Sequence, residues 1–124
     1  IRNNIAKKYD KLLNKKYLHL PKITKKVLSS FHLYVIKIKD EYKNYHENLF
    51  NYLRKKKINV NLHYIPVHLH PYYRKLGFKE GEYKISEKHA QTSVSIPIFP
   101  GLTSKEIIKI CNLINNFFIK LDKI

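Results

Sequence analysis

The sequence predicts an α/β or α+β domain in which a small sheet is covered by helices. Three observations predict it. The apolar residues switch between helical spacing and strand alternation in the order helix, strand, helix, strand, helix, strand, helix. The chain has 124 residues, room for one domain with one modest core. Hydrophobic residues make up 44 % of it, as in a folded protein and unlike a disordered tail.

Each element has its own signal. Residues 2–15 read as a helix, because Ile5, Tyr9, Leu12 and Leu13 recur at spacings of three and four. Pro21 blocks any continuation. Residues 31–38, from Phe31 to Ile38, are β-branched and aromatic and read as a strand. Tyr42, His46, Leu49, Phe50 and Leu53 mark the next helix. Its end is the basic run Arg54-Lys55-Lys56-Lys57, which complements the helix dipole and reads as a solvated terminus. In residues 58–65, Val60, Leu62 and Tyr64 alternate with Asn59, Asn61 and His63, a strand pattern. A loop with Pro66, Pro71 and Gly77 follows, and a short helix is expected to open at Ser86 as its cap. Residues 93–98 alternate as a strand, which Pro97 confines to a sheet edge or to its own end. After the Pro100-Gly101 turn, Thr103 and Glu106 form a capping box. Ile107, Ile110, Cys111, Ile114, Phe117, Phe118 and Leu121 then form one apolar stripe.

The net charge of +16 raises the possibility of a nucleic-acid partner. Its composition argues otherwise. Of the 25 basic residues only Arg2, Arg54 and Arg74 are Arg, whose planar fork serves base and phosphate recognition. Lys, Asn, Ile and Tyr make up nearly half the chain, and A/T-rich codons encode all four. A/T bias in the genome accounts for the charge, so no nucleic-acid partner is expected. No apolar run reaches membrane-spanning length, and the first residues carry no signal-peptide pattern. Cys111 is the single cysteine, which excludes an internal disulfide and agrees with a reducing cytoplasm. Methionine is absent, so a fragment, a processed product or an incompletely read gene is expected.

Chemistry concentrates in residues 63–78. His63, His68 and His70 stand with Tyr64, Tyr72 and Tyr73 on a segment stiffened by Pro66 and Pro71. Imidazoles and phenols can donate to sugar or phosphate oxygens and can stack, so these six are the candidate substrate-binding residues. Tyr64 also has a core reading, and Tyr72 or Tyr73 one as loop pins. Histidine spacings of five and two with no acidic or Cys neighbour match no tight zinc pattern. No Gly-x-Ser-x-Gly elbow or Gly-rich phosphate loop occurs, and Cys111 lies on a buried stripe. No catalytic residue, metal ligand or cofactor-binding residue is therefore assigned.

The run His63-Tyr64-Ile65-Pro66-Val67-His68-Leu69-His70-Pro71-Tyr72-Tyr73-Arg74-Lys75-Leu76-Gly77 is similar to the His-Tyr-x-Pro-x-His loop of the DegT/DnrJ/EryC1/StrS sugar aminotransferases. Within them it most resembles members that aminate a UDP-linked 4-keto-6-deoxy-N-acetylhexosamine on the route to pseudaminic acid. Asn4-Ile5-Ala6-Lys7-Lys8-Tyr9 resembles the family's Asn-Ala-x-x-Tyr helix, and His32-Leu33-Tyr34-Val35-Ile36 its first small-domain strand. Ser95-Ile96-Pro97-Ile98-Phe99-Pro100-Gly101-Leu102-Thr103 resembles its Ser-Leu-Pro-x-x-Pro-x-Leu-Thr segment. The family's Pro-x-Ala-Glu stands here as Lys84-Ile85-Ser86-Glu87.

The resemblance spans nearly the whole chain. It implies that residues 1–124 are the C-terminal small domain of a type I pyridoxal-phosphate aminotransferase, with a small, mainly antiparallel sheet. It implies a homodimer whose active site lies between large and small domains. It implies transfer of an amino group from glutamate to a nucleotide-linked 4-keto-6-deoxy sugar, in surface polysaccharide or nonulosonic acid biosynthesis. The Schiff-base lysine and most pyridoxal 5'-phosphate contacts would belong to the large domain. No lysine here matches the Schiff-base motif, so the isolated chain is expected to be inactive. The loop from His63 to Tyr73 would close the nucleotide-sugar side of the site. A non-catalytic remnant with a binding or scaffolding role, and a basic nucleic-acid-binding domain, are the alternatives.

Overall fold

The computed structural model describes residues 1–123. In order, the elements are α1 (Arg2–Leu12), β1 (Leu18–His19), β2 (Tyr34–Ile38), a 3-10 turn (Asp40–Tyr45), α2 (His46–Lys55), a second 3-10 turn (Val67–Leu69), α3 (Pro71–Lys75), α4 (Lys84–Thr92), β3 (Ser93–Ile96) and α5 (Ser104–Leu121). The three strands form one antiparallel sheet in the order β1-β2-β3. The expected class, a small antiparallel sheet covered by helices, is the observed one.

Register divides the sheet into two faces. Tyr34 pairs with Ile96 and Ile36 with Val94, so these side chains share the core face. They join one buried cluster with Ile5, Tyr9, Leu49, Leu53, Ile107, Ile110, Ile114 and Phe118 from the helices. Val35 pairs with Ser95 and Lys37 with Ser93, which makes the second face polar. All four β3 residues are nevertheless buried, so that face is covered too.

α5 is the spine of the core. Its capping box forms as expected: Glu106 N–H donates to Thr103 Oγ1 at 3.3 Å, and Thr103 N–H donates to Glu106 Oε2 at 2.8 Å. Ile107, Ile110, Cys111, Ile114 and Phe118 point inward at helical spacing. Asn115 joins α5 to the end of α1, donating to the Leu12 carbonyl at 2.8 Å and accepting from Asn14 N–H at 2.9 Å. Just past α5, the Asp122 carboxylate accepts from Lys16, from Tyr17 OH at 2.7 Å and from Tyr42 OH at 3.0 Å. The Lys16 bond, then the Tyr17 bond, hold that carboxyl below the usual range.

Several boundaries differ from the sequence reading. The strand expected over 58–65 is a single antiparallel bridge, Asn61 to Ser95. Antiparallel pairing would next join Asn59 to Pro97, which has no N–H to give. Val60 is buried as the alternation predicts, and Ile58 with it, but Leu62 and Tyr64 are exposed. The helix expected over 2–15 stops at Leu12, and the extended Leu13 turns its side chain into the core while Leu12 stays outside. The strand expected from Phe31 begins at Tyr34, because Phe31 has a left-handed φ of 45°. The helix expected from Tyr42 is a 3-10 turn until His46. β1 was not expected; two residues are too few to show alternation.

Phe118 is fully buried, stacked on Tyr17 at 5.2 Å and edge-on to Tyr42 at 5.8 Å. Phe118→Ala is expected to cost about 3–5 kcal/mol in urea denaturation, as a large-to-small change in a packed core. Burial pushes the Cys111 thiol up to about 12. It should resist a thiol-specific reagent at neutral pH until the chain is unfolded, and rapid labelling of the native chain would contradict this packing.

Candidate functional site

The histidine-tyrosine loop is built by two prolines, two glycines and one carboxylate. Pro66 precedes the 3-10 turn Val67–Leu69, and Pro71 opens α3 at a position where its missing N–H is no loss. Gly77, at φ +102°, ends α3 in the left-handed region, and Phe78 N–H returns to the Tyr73 carbonyl at 3.3 Å. Gly81, at φ +93°, turns the chain back towards α4.

Glu87, only 8 % exposed, receives that turn. Its Oε1 accepts from His68 Nε2 at 2.8 Å, and its two oxygens accept from Gly81 N–H at 2.9 and 3.0 Å. A longer bond from Tyr83 N–H, at 3.3 Å, completes the set. Burial alone raises a carboxyl pKa, but here the His68 and backbone bonds outweigh it and hold Glu87 below its usual range. An ionised carboxylate only accepts, so His68 Nε2 carries the proton. The helix expected to begin at a Ser86 cap begins at Lys84, with Tyr83 in the cap position and no side-chain cap bond. Glu87 reaches back to the Tyr83 N–H and does the work expected of Ser86.

The six candidate residues do not form one constellation. His63 is half-buried, and both its ring nitrogens are shielded from solvent without a hydrogen-bond partner. Tyr64, 73 % exposed, lies edge-on to that ring at 4.6 Å, so its core reading is excluded. His68 is buried, bonded to Glu87 and tilted against Tyr83 at 4.7 Å. His70 Nε2 donates to the Ile65 carbonyl at 3.1 Å and pins the loop at the start of α3. Tyr72 points outward, edge-on to Tyr73 at 5.3 Å, and Tyr73 lies against Phe78 at 6.1 Å.

His63 lines a cleft of about 390 Å³. Ser95, Pro97 and Phe99 line it from β3 and the segment after it, Lys57, Asn59 and Asn61 from the segment after α2, and Glu106 and Lys109 from α5. The buried Ser95 hydroxyl also has no partner. Unpaired buried polar atoms are uncommon; those of His63 and Ser95 border one cleft rich in donors, while Arg2 Nε and Ser93 Oγ, also unpaired, lie outside it. Such walls suit a hydroxylated, anionic ligand. His63 also lines a hollow of about 270 Å³ with Ile65, Leu69, Glu87 and Gln91. On the same side, burial first and then the Lys37 charge hold His89 below the usual histidine range, against a bond to the His63 backbone that raises it. Among the described residues no three His, Cys, Asp or Glu side chains converge as a metal site.

Sequence reasoning did not find Ser95, Asn61 or Glu87. Ser95 had a signal: Ser93 and Ser95 alternate with Val94 and Ile96, which marks a polar second face. Glu87 had one in the Lys84-Ile85-Ser86-Glu87 stretch, but its partner His68 lies 19 residues away.

The clamp sets a pH dependence. Glu87 has a lower pKa folded than unfolded, so its stabilisation is complete above the unfolded value and is lost as pH falls through the folded one. Acidification below about pH 4 is expected to reduce the near-ultraviolet circular dichroism of the loop tyrosines. Glu87→Gln should start with the loosened signal at neutral pH, because its amide NH2 faces the Gly81 donor. An unchanged spectrum and acid profile in that variant would contradict the clamp.

Sequence and fold both have relatives among known proteins. The model of the DegT/DnrJ/EryC1/StrS aminotransferase family matches residues 1–115. MJ1066 of Methanocaldococcus jannaschii is 35 % identical over 116 residues, covering 91 % of this chain and 30 % of that protein. The dTDP-3-amino-3,6-dideoxy-alpha-D-galactopyranose transaminase of Aneurinibacillus thermoaerophilus is 27 % identical over 117 residues, covering 94 % of this chain and 30 % of that one. Spr1654 of Streptococcus pneumoniae, solved in its PMP form, superposes with a TM-score of 0.88 at 25 % identity, over 97 % of this chain and 30 % of its own. A PLP form of Spr1654 gives the same TM-score of 0.88. The chain thus spans about 30 % of the length of the relatives it matches. On the family match over residues 1–115 and the shared fold, the chain belongs to the DegT/DnrJ/EryC1/StrS aminotransferase family.

Proposed function

We propose that this chain is the C-terminal small domain of a nucleotide-sugar aminotransferase and forms the substrate-side wall of its active site. The observation that carries the reading is the cleft where the ring nitrogens of His63 and the hydroxyl of Ser95 lie buried without partners. Sugar hydroxyls supply both donors and acceptors, which these atoms lack. Tyr64 lies over His63 and is free to swing aside, because its ring is largely exposed. His68 and His70 hold the loop in shape, with His68 Nδ1 left for the ligand, and Tyr72 and Tyr73 face the nucleotide side. The substrate is a nucleotide-linked 4-keto-6-deoxy sugar and the amino donor is glutamate, in the cytoplasmic synthesis of a surface polysaccharide or nonulosonic acid.

The residues described do not fit pyridoxal 5'-phosphate. None of their lysines is buried, whereas a Schiff-base lysine is activated by desolvation or a cationic neighbour. Cofactor and catalytic lysine belong, on this reading, to a large domain, with which the chain works in a homodimer. The exposed side chains of Leu62, Tyr64, Ile65, Val67, Tyr72 and Leu76 support such a covered surface.

Titration of the chain with a UDP-linked 4-keto-6-deoxy-N-acetylhexosamine, followed by NMR, is expected to shift the His63 ring and the Ser95 amide. His63→Ala should weaken that response by about tenfold, the loss of one to two hydrogen bonds. The chain mixed with pyridoxal phosphate should show no imine absorbance band. A silent cleft, or an imine band with glutamate-dependent amination, would overturn the reading.

A further inference from the structure

Between Asp10 and Asp40 the chain carries no acidic residue, and in the middle of this interval lies the stretch from Pro21 to Ser30. It joins β1 to β2 without forming a helix or strand of its own. Both its ends are fastened. Leu20 packs against the core before it, and Phe31 does so after it, stacked on Tyr34 at 6.1 Å. The Asn3 side chain donates to the Ser29 carbonyl at 3.0 Å and ties the stretch to α1. Between these anchors Val27 N–H donates to the Thr24 carbonyl at 3.0 Å, closing a turn with Lys25 and Lys26 at its central positions.

This turn leaves its apolar side chains to water. Leu28 is 89 % exposed, Val27 58 % and Ile23 44 %, so the core uses none of the three. Lys22, Lys25 and Lys26 stand among them, all exposed, and no described carboxylate forms an ion pair with any of these lysines. Lys16, the nearest lysine before the stretch, is by contrast held by Asp122. Single exposed aliphatics are ordinary on a protein surface. A fastened turn that interleaves them with free cations has a definite complement, a surface with an anionic outer layer over an apolar interior. A nucleic-acid backbone would satisfy the lysines but leave the aliphatics in water. The stretch also has no Arg and no aromatic ring with which to meet bases.

We infer that residues 21–30 dock on an anionic phospholipid surface, with Val27 and Leu28 entering the boundary between headgroups and acyl chains and Lys22, Lys25 and Lys26 meeting the lipid phosphates. The stretch is too short to span a bilayer, so the contact is with one leaflet and is reversible. Each contribution supplies what the other lacks. The lysines draw the turn to the surface, and the aliphatics hold it there. Binding therefore weakens as salt rises without vanishing. The inference does not depend on the nucleotide-sugar reading, since the turn shares no residue with the cleft of His63 and Ser95.

The test is co-sedimentation of the full chain with vesicles of phosphatidylcholine alone and of phosphatidylcholine with phosphatidylglycerol in equal parts. Binding is expected to the mixed vesicles only. Lys25→Gln and Lys26→Gln should each weaken it about fivefold. Leu28→Ser should weaken it about tenfold, the loss of one buried aliphatic side chain. Thermal unfolding of these variants should be unchanged, because the side chains lie outside the core. The chain contains no tryptophan, so Leu28→Trp gives a single reporter whose emission should shift to the blue on the mixed vesicles. Lys55→Gln, at the exposed end of α2, removes the same charge away from any exposed aliphatic neighbour in the chain and should change binding little. An equal loss from Lys55→Gln, or no loss from Leu28→Ser, means that net charge alone binds and overturns the inference. Equal binding to both kinds of vesicle, binding to neither, or an unshifted tryptophan overturns it as well. Tighter binding to duplex DNA, weakened by the lysine changes but not by Leu28→Ser, overturns it in favour of a nucleic-acid partner.

Discussion

Glu87 carries one buried negative charge, and the whole histidine-tyrosine loop is arranged around it. A carboxylate taken out of water is costly unless its lone pairs are filled. Here they are filled by His68 Nε2 and by the N–H groups of Gly81 and Tyr83. Those donors come from three places: the 3-10 turn after Pro66, the glycine turn before α4 and the first turn of α4 itself. The segment from residue 63 to 83 buries little apolar surface, since most of its large hydrophobic side chains are exposed. It lacks a core of its own, so its shape depends on this polar junction more than on packing.

The rest of the fold provides a rigid back wall. Tyr34, Ile36, Val94 and Ile96 anchor one face of the sheet to α5 and its neighbours. Their strand partners Lys37, Ser93 and Ser95 therefore have to occupy the other face. Ser95 and Lys37 are thus placed by strand alternation, and the loop held by Glu87 is laid against them. The cleft lies where Ser95 of the sheet meets His63 of the loop.

Much of the core was legible in the sequence, because periodicity reports burial directly. The α5 stripe, its capping box, the buried Cys111 and the alternation in β3 all stand where their spacing put them. The family resemblance was legible because its longest motif lies in a loop, where function places unusual residues. The site was less legible for a physical reason. Alternation put Tyr64 with Val60 in a strand, but the segment meets the sheet through the single Asn61–Ser95 bridge, and Leu62 and Tyr64 beyond it are exposed. Ser86 looked like a helix cap by local chemistry, but Glu87 satisfied the same backbone while also holding a distant histidine. His68 finds its partner 19 residues further along the chain, beyond the reach of any local pattern.

Native-state amide hydrogen exchange at Gly81 and Tyr83 tests the central claim most directly. These two N–H groups belong to a turn and a helix start, which exchange quickly unless something holds them. With the clamp in place both are expected to be protected at neutral pH. Glu87→Ala should abolish that protection while the Ile110 and Ile114 amides of α5 keep theirs. Rapid exchange at Gly81 and Tyr83 in the unaltered chain, or protection that survives the loss of the carboxylate, would contradict the account.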